Sequence, residues 1–118
     1  MIKISLDEAY VFDILSIHQV KVSKFTGEKL LKTSDSMSKL IQEIKDQIGE
    51  DLFSDIIQSK VYSDLLKANE NVFDLVDKAS NSGGLAKMVD QANHNRYIYK
   101  QNLQNNFFST DISETKNK

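Results

Sequence analysis

Residues 6–25 read LDEAYVFDILSIHQVKVSKF, and this stretch decides the fold. Val11, Ile14, Leu15, His18, Val22 and Phe25 recur at helical spacing, while Tyr10, Ile17 and Val20 carry apolar surface further around the cylinder. A helix apolar on nearly every side has to be sandwiched between others. Just ahead of it, Ser5-Leu6-Asp7-Glu8 has the hydroxyl-then-Glu spacing of a capping box, so a helix is expected to start at Leu6.

The pattern continues outward. Leu30, Met37, Ile41, Ile44 and Ile48 form a narrow stripe after Thr26-Gly27, predicting a second helix with one wet face. Thr33-Ser34-Asp35-Ser36 compete for backbone hydrogen bonds and predict a break within it. Beyond Gly49, Leu52, Phe53, Ile56 and Ile57 predict a short helix, and Tyr62, Leu65, Asn69, Val72, Val76 and Ala79 a long one stopped by Ser82-Gly83-Gly84. Leu85, Met88, Val89, Ala92, Arg96, Tyr99, Leu103 and Phe107 share a face of a last helix. That helix is rich in Asn and Gln, but its intact stripe marks it as folded rather than prion-like. The expectation is an all-α, single-domain bundle over residues 1–108, with four main helices and one short one. A short extended start and a polar, frayed tail over residues 109–118 complete it.

Composition narrows function. The 118 residues contain no Cys, which removes disulfides, thiolate metal sites and thiol catalysis and fits a reducing, cytoplasmic setting. A net charge of -2 with scattered basic residues argues against nucleic acid, and no apolar run reaches the length of a membrane span. No signal-peptide centre follows Met1. His18 and His94 lack the spacing of a helical metal site, so no metal and no cofactor are expected. Ser5 and Ser16 have no readable triad partners, and Gly83-Gly84 lacks the lysine of a phosphate loop, so no catalytic residue is assigned.

Three polar residues sit where apolar ones belong: His18, Asn69 and Arg96 fall near the centres of their stripes. Unpartnered burial of such groups costs about 1–3 kcal/mol or more, so each needs a partner or a cleft. Arg96 is the one arginine beside fourteen lysines, and its planar fork can hold a carboxylate or phosphate as an ammonium cannot. In a structural role, Arg96 pairs with Asp77 or Asp13 to set helix register. In a binding role, His18, Asn69, Asp77, Asn93, Arg96 and Lys100 line a site for a small anion. Carboxylate pairs on facing helices raise a magnesium-dependent nucleotide pyrophosphohydrolase as an alternative, with Glu43 and Asp46 opposite Asp74 and Asp77. The near-uniform apolarity of the first helix raises self-association as a helical homodimer.

Three segments in order resemble an uncharacterised family of small helical proteins of bacteria and their phages. They are Asp13-Ile-Leu-Ser16-Ile17-His-Gln-Val20-Lys21, then Asn69-Glu-Asn-Val72-Phe73-Asp74-Leu75-Val-Asp77, then Asn93-His-Asn-Arg96-Tyr-Ile-Tyr-Lys100. The family pattern has Trp where Phe73 stands and an acidic residue where Val76 stands. The resemblance implies a helical fold and a shared polar set of Asp13, Ser16, Lys21, Asn69, Asp77, Asn93, Arg96 and Lys100. It implies no activity. With it, the expected function is that of a small accessory or interaction protein with an unknown protein partner.

Overall fold

A computed structural model describes residues 7–82 and 86–108. Five helices and no strand are found among them: α1 (Glu8–Lys24), α2 (Gly27–Ile48), α3 (Glu50–Ile57), α4 (Lys60–Ser82) and α5 (Ala86–Phe107). The all-α bundle expected from periodicity is the observed architecture. The extended start, the Gly83-Gly84 stop and the tail from Ser109 lie outside the described residues. None of the described helices is long and apolar enough to cross a membrane.

The central element is α1, which packs against α2, α4 and α5 alike. Its all-round apolarity is thereby used inside one chain, which accounts for the feature that raised self-association. Phe12 against Tyr62 near one end and Phe25 against Phe73 near the other show that α1 and α4 run in the same direction. Ala9 with Gln104 and Asp13 with Arg96 show that α5 runs the opposite way. Phe12 is the hub of the core: its ring lies 6.2 Å from Phe53, 6.3 Å from Tyr62 and 6.2 Å from Phe108. Such tilted and edge-on contacts suit the aromatic quadrupole. Leu15, Ile44, Ile56, Leu65 and Leu103 fill in around them.

Several local expectations are corrected. The described part of α1 begins at Glu8, with Asp7 in extended backbone at its N-cap and making no capping bond through its side chain. Ser5 and Leu6 of the capping box lie outside the described residues, and the Glu8 carboxylate accepts instead from Gln104 Nε2 at 3.0 Å. The Ala9 N–H, which lacks a helical partner, donates to Gln104 Oε1 at 2.8 Å. The first turn is thus capped across the bundle by a side chain of the last helix.

The break expected at Thr33–Ser36 is absent, for α2 runs unbroken from Gly27 to Ile48. Weak propensities of a few tenths of a kcal/mol lose to a continuous hydrogen-bond ladder and a packed stripe. The i,i+4 pairs of Lys32 with Glu28 and Lys39 with Asp35 flank the segment. The helix stops at Gly49, whose φ of 91° only glycine adopts without strain and whose N–H returns to Lys45 O at 2.9 Å.

The buried face of α1 also differs from the stripe read off its apolar residues. Ala9, Phe12, Asp13, Leu15, Ser16 and Val20 are the buried positions, so the line of deepest burial toward α4 and α5 passes through two polar residues. His18 lies off that line and is only half-buried.

Candidate functional site

The polar centre is built where α1, α4 and α5 meet. Asp13 is 2% exposed, Ser16 is fully buried and Asn69 is buried beside them. Helical spacing puts Asp13 and Ser16 one turn apart on α1, facing Asn69 of α4. Asn69 Nδ2 donates to Asp13 Oδ1 at 2.9 Å and also to Ser16 Oγ. Ser16 passes its own hydrogen back to the Asp13 carbonyl at 2.8 Å. The second carboxylate oxygen, Oδ2, meets Arg96 Nη2 of α5 at 3.3 Å.

One carboxylate therefore ties three helices. One oxygen accepts a hydrogen bond from Asn69 and the other is held in the ion pair with Arg96, which offsets much of the penalty of burying the charge. Its contact with Arg96 is a single one rather than a two-pronged fork. Arg96 is itself half-buried, and Nη1 also reaches Asn93 Oδ1 at 3.4 Å on its own helix. Of the two structural partners raised for Arg96, Asp13 forms an ion pair with it.

The other residues proposed from sequence fall in three places. Asp77 joins Asn69 and Arg96 at the wall of a recess of about 380 Å³ between α1, α4 and α5. The remaining lining is apolar: Ile17, Val20, Val72, Phe73 and Val76. Lys100 lies over the rings of Tyr10 and Tyr97. His18 makes no interhelical bond; its Nδ1 sits 2.9 Å from the Ile14 carbonyl of its own helix. A carbonyl only accepts, so Nδ1 carries the hydrogen.

The four carboxylates of the hydrolase alternative are dispersed. Glu43 and Asp46 are on α2, which packs on α1 and α3, whereas Asp74 and Asp77 are on α4. Asp46 accepts from Gln42, and Asp74 shares Lys24 with Glu70. Glu70, and after it Asp74, holds the Lys24 ammonium above its ordinary pKa by hydrogen bonding. Among the described residues, no three His, Asp or Glu side chains gather where a metal ion could be held.

Sequence reasoning reached Asn69 and Arg96 through their stripes and named Asp13 as one of two partners for Arg96. Ser16 was set aside as a nucleophile and joined the polar set only through the family resemblance. Gln104, 4% exposed, was seen only as one amide in a polar-rich run. Its signal was spacing: Gln104 lies one residue after the stripe position Leu103 and two turns after Tyr97.

No family model matches the chain, and neither a curated protein nor a solved structure is significantly similar to it.

Proposed function

We propose that this chain is a non-enzymatic helical interaction protein whose inward polar set holds α1, α4 and α5 in register instead of binding a small anion. The observation that carries this reading is Asp13, buried with one carboxylate oxygen on Arg96 and the other on Asn69. A guanidinium already neutralised inside the fold has little attraction left for a free anion. An incoming anion would also have to compete with the Asp13 carboxylate that already holds Arg96. The apolar walls of the recess between α1, α4 and α5 suit an apolar side chain of a partner better than a solvated ion.

The hydrolase alternative needs its carboxylates to converge on one ion, and their placement on α2 and α4 on separate packing surfaces of α1 gives it no support. The cysteine-free composition fits a cytoplasmic setting, and the three-segment resemblance fits a bacterial or phage source.

Amide and arginine side-chain NMR spectra during titration with inorganic phosphate test the reading, beside incubation with nucleoside triphosphates and magnesium. The expected result is an Arg96 Nε–H signal that stays in place and triphosphates that stay intact. A saturable shift centred on Arg96 and Asn69 would restore the anion site, and release of pyrophosphate would restore the hydrolase.

A further inference from the structure

A stretch of α5 without a carboxylate of its own packs along the first turns of α1. The chain has 17 acidic residues, yet none falls between Gln91 and Phe107. That stretch is most of α5. The Ala9–Gln104 and Asp13–Arg96 contacts place α1 and α5 side by side in opposite directions. Residues 96–104 of α5, whose charged side chains are Arg96 and Lys100, thereby lie beside residues 8–13 of α1, where Glu8 accepts from Gln104 and Asp13 meets Arg96.

Arg96 is already neutralised by Asp13. Lys100 is different. Its ammonium lies 5.7 Å from the ring centroid of Tyr10 on α1 and 5.8 Å from that of Tyr97 on α5. No carboxylate among the described residues is within ion-pair distance of it. Tyr10 is 43% and Tyr97 55% exposed. Rigid, half-exposed aromatic rings holding an unneutralised cation combine the side chains that anchor protein interfaces at low entropic cost. The Asp13–Arg96 pair, one helical turn away, fixes α1 against α5 and so fixes the spacing of the two rings.

We propose that the α1/α5 face around Tyr10, Tyr97 and Lys100 docks an acidic segment of a partner protein. A Glu or Asp carboxylate of that segment pairs with Lys100, and the side chains beside it pack on the tyrosine rings. A peptide with one or two carboxylates matches the charge on offer. A nucleic-acid strand does not: it carries a phosphate at every residue, and beside Tyr10 and Tyr97 the cation without an ion-pair carboxylate among the described residues is Lys100. The proposal rests on the interaction reading above but not on the phosphate or hydrolysis results, which stand whatever happens here.

The test is an amide NMR titration of the full chain with hexaglutamate, hexaglutamine and a short oligothymidylate. Hexaglutamate is expected to move the amides of Tyr10, Tyr97 and Lys100 saturably, and hexaglutamine to leave them in place. Lys100→Gln should weaken hexaglutamate binding about tenfold, the loss of one charge-assisted contact at ~1.4 kcal/mol per decade. Tyr97→Ala should weaken it as well, while Lys39→Gln on α2 should not. Tyr97 is exposed and Lys100 half-buried, and circular dichroism confirms the fold of each variant. Absence of a saturable shift overturns the proposal. So does binding indifferent to Lys100→Gln, an equal response to hexaglutamine, or an oligothymidylate that binds more tightly than hexaglutamate.

Discussion

Replacing Arg96 by Met keeps the apolar stem and removes the charge, leaving Asp13 with Asn69 as its remaining side-chain donor. Breaking a fully buried pair by deleting one partner costs about 3–5 kcal/mol, and an exposed pair is worth about 0–1 kcal/mol. This pair lies between those limits, because the Asp13 side chain is 2% exposed and that of Arg96 31%. Water can enter from the Arg96 side and partly solvate the abandoned carboxylate, so the expected cost is ~2–3 kcal/mol. For a domain of this size that corresponds to a fall in Tm of roughly 8–15 °C. Thermal and urea unfolding of wild type, Arg96→Met, Asp13→Asn and the double variant give the full cycle. The double variant should be more stable than the sum of the singles by ~1–2 kcal/mol, since it leaves no orphaned charge. A loss below about 0.5 kcal/mol for Arg96→Met, or strict additivity across the cycle, would refute the argument that Asp13 depends on Arg96.

Phe12→Ala empties the hub of four rings and should cost about 3–5 kcal/mol in urea unfolding, more than any truncation on the outer face of α2. Gln104→Ala removes the trans-bundle cap of α1; it should cost ~1–2 kcal/mol and speed hydrogen exchange at the Ala9 amide ahead of the rest of α1. Burial pushes the Tyr62 phenol well above its ordinary value of 10.0, and its hydroxyl donates to Gln19 Oε1 at 2.9 Å. The folded state holds that proton where the unfolded chain releases it. The stability this gives is complete below pH ~10 and declines above it by up to ~1.4 kcal/mol per pH unit. Tyr62→Phe should lose about 1 kcal/mol at neutral pH and show a shallower decline in alkali; an unchanged alkaline slope would exclude Tyr62 as its source.

The helices were legible because apolar periodicity and scarce glycines report directly on which residues leave water. Gly49 and the stripe of α2 needed nothing beyond the sequence. The orientation of α1 was not legible in the same way. Apolar residues surround that helix, so a stripe drawn through them has no preferred direction, and the line of deepest burial runs instead through Asp13 and Ser16. A polar residue becomes buried when partners from other helices satisfy it, and those partners are known only after the helices are packed. Asn69 and Arg96 could be found because each interrupts an otherwise clean stripe. His18 interrupts a stripe too, yet its own helix satisfies it through the Ile14 carbonyl, a local alternative that spacing alone cannot separate from an interhelical bond. The acid-free run of α5 was visible in the sequence, but only packing brings Lys100 of that run over the ring of Tyr10 on α1.

The hydrogen bond from Ala9 to Gln104 spans 95 positions of the chain, and this has a consequence during synthesis. At roughly 5–20 residues per second, a ribosome takes about 5–20 s to travel that distance. For most of that interval α1 has been made, but the residue that caps it and the arginine that neutralises Asp13 have not. The nascent chain can assemble α1 with α2, α3 and α4 around Phe12, but with an uncapped first turn and a half-satisfied carboxylate facing the vacant berth of α5. Arrival of the last helix is then the committing step, and a ribosome stalled inside α5 would hold a chain that is compact, unfinished and exposed along one seam.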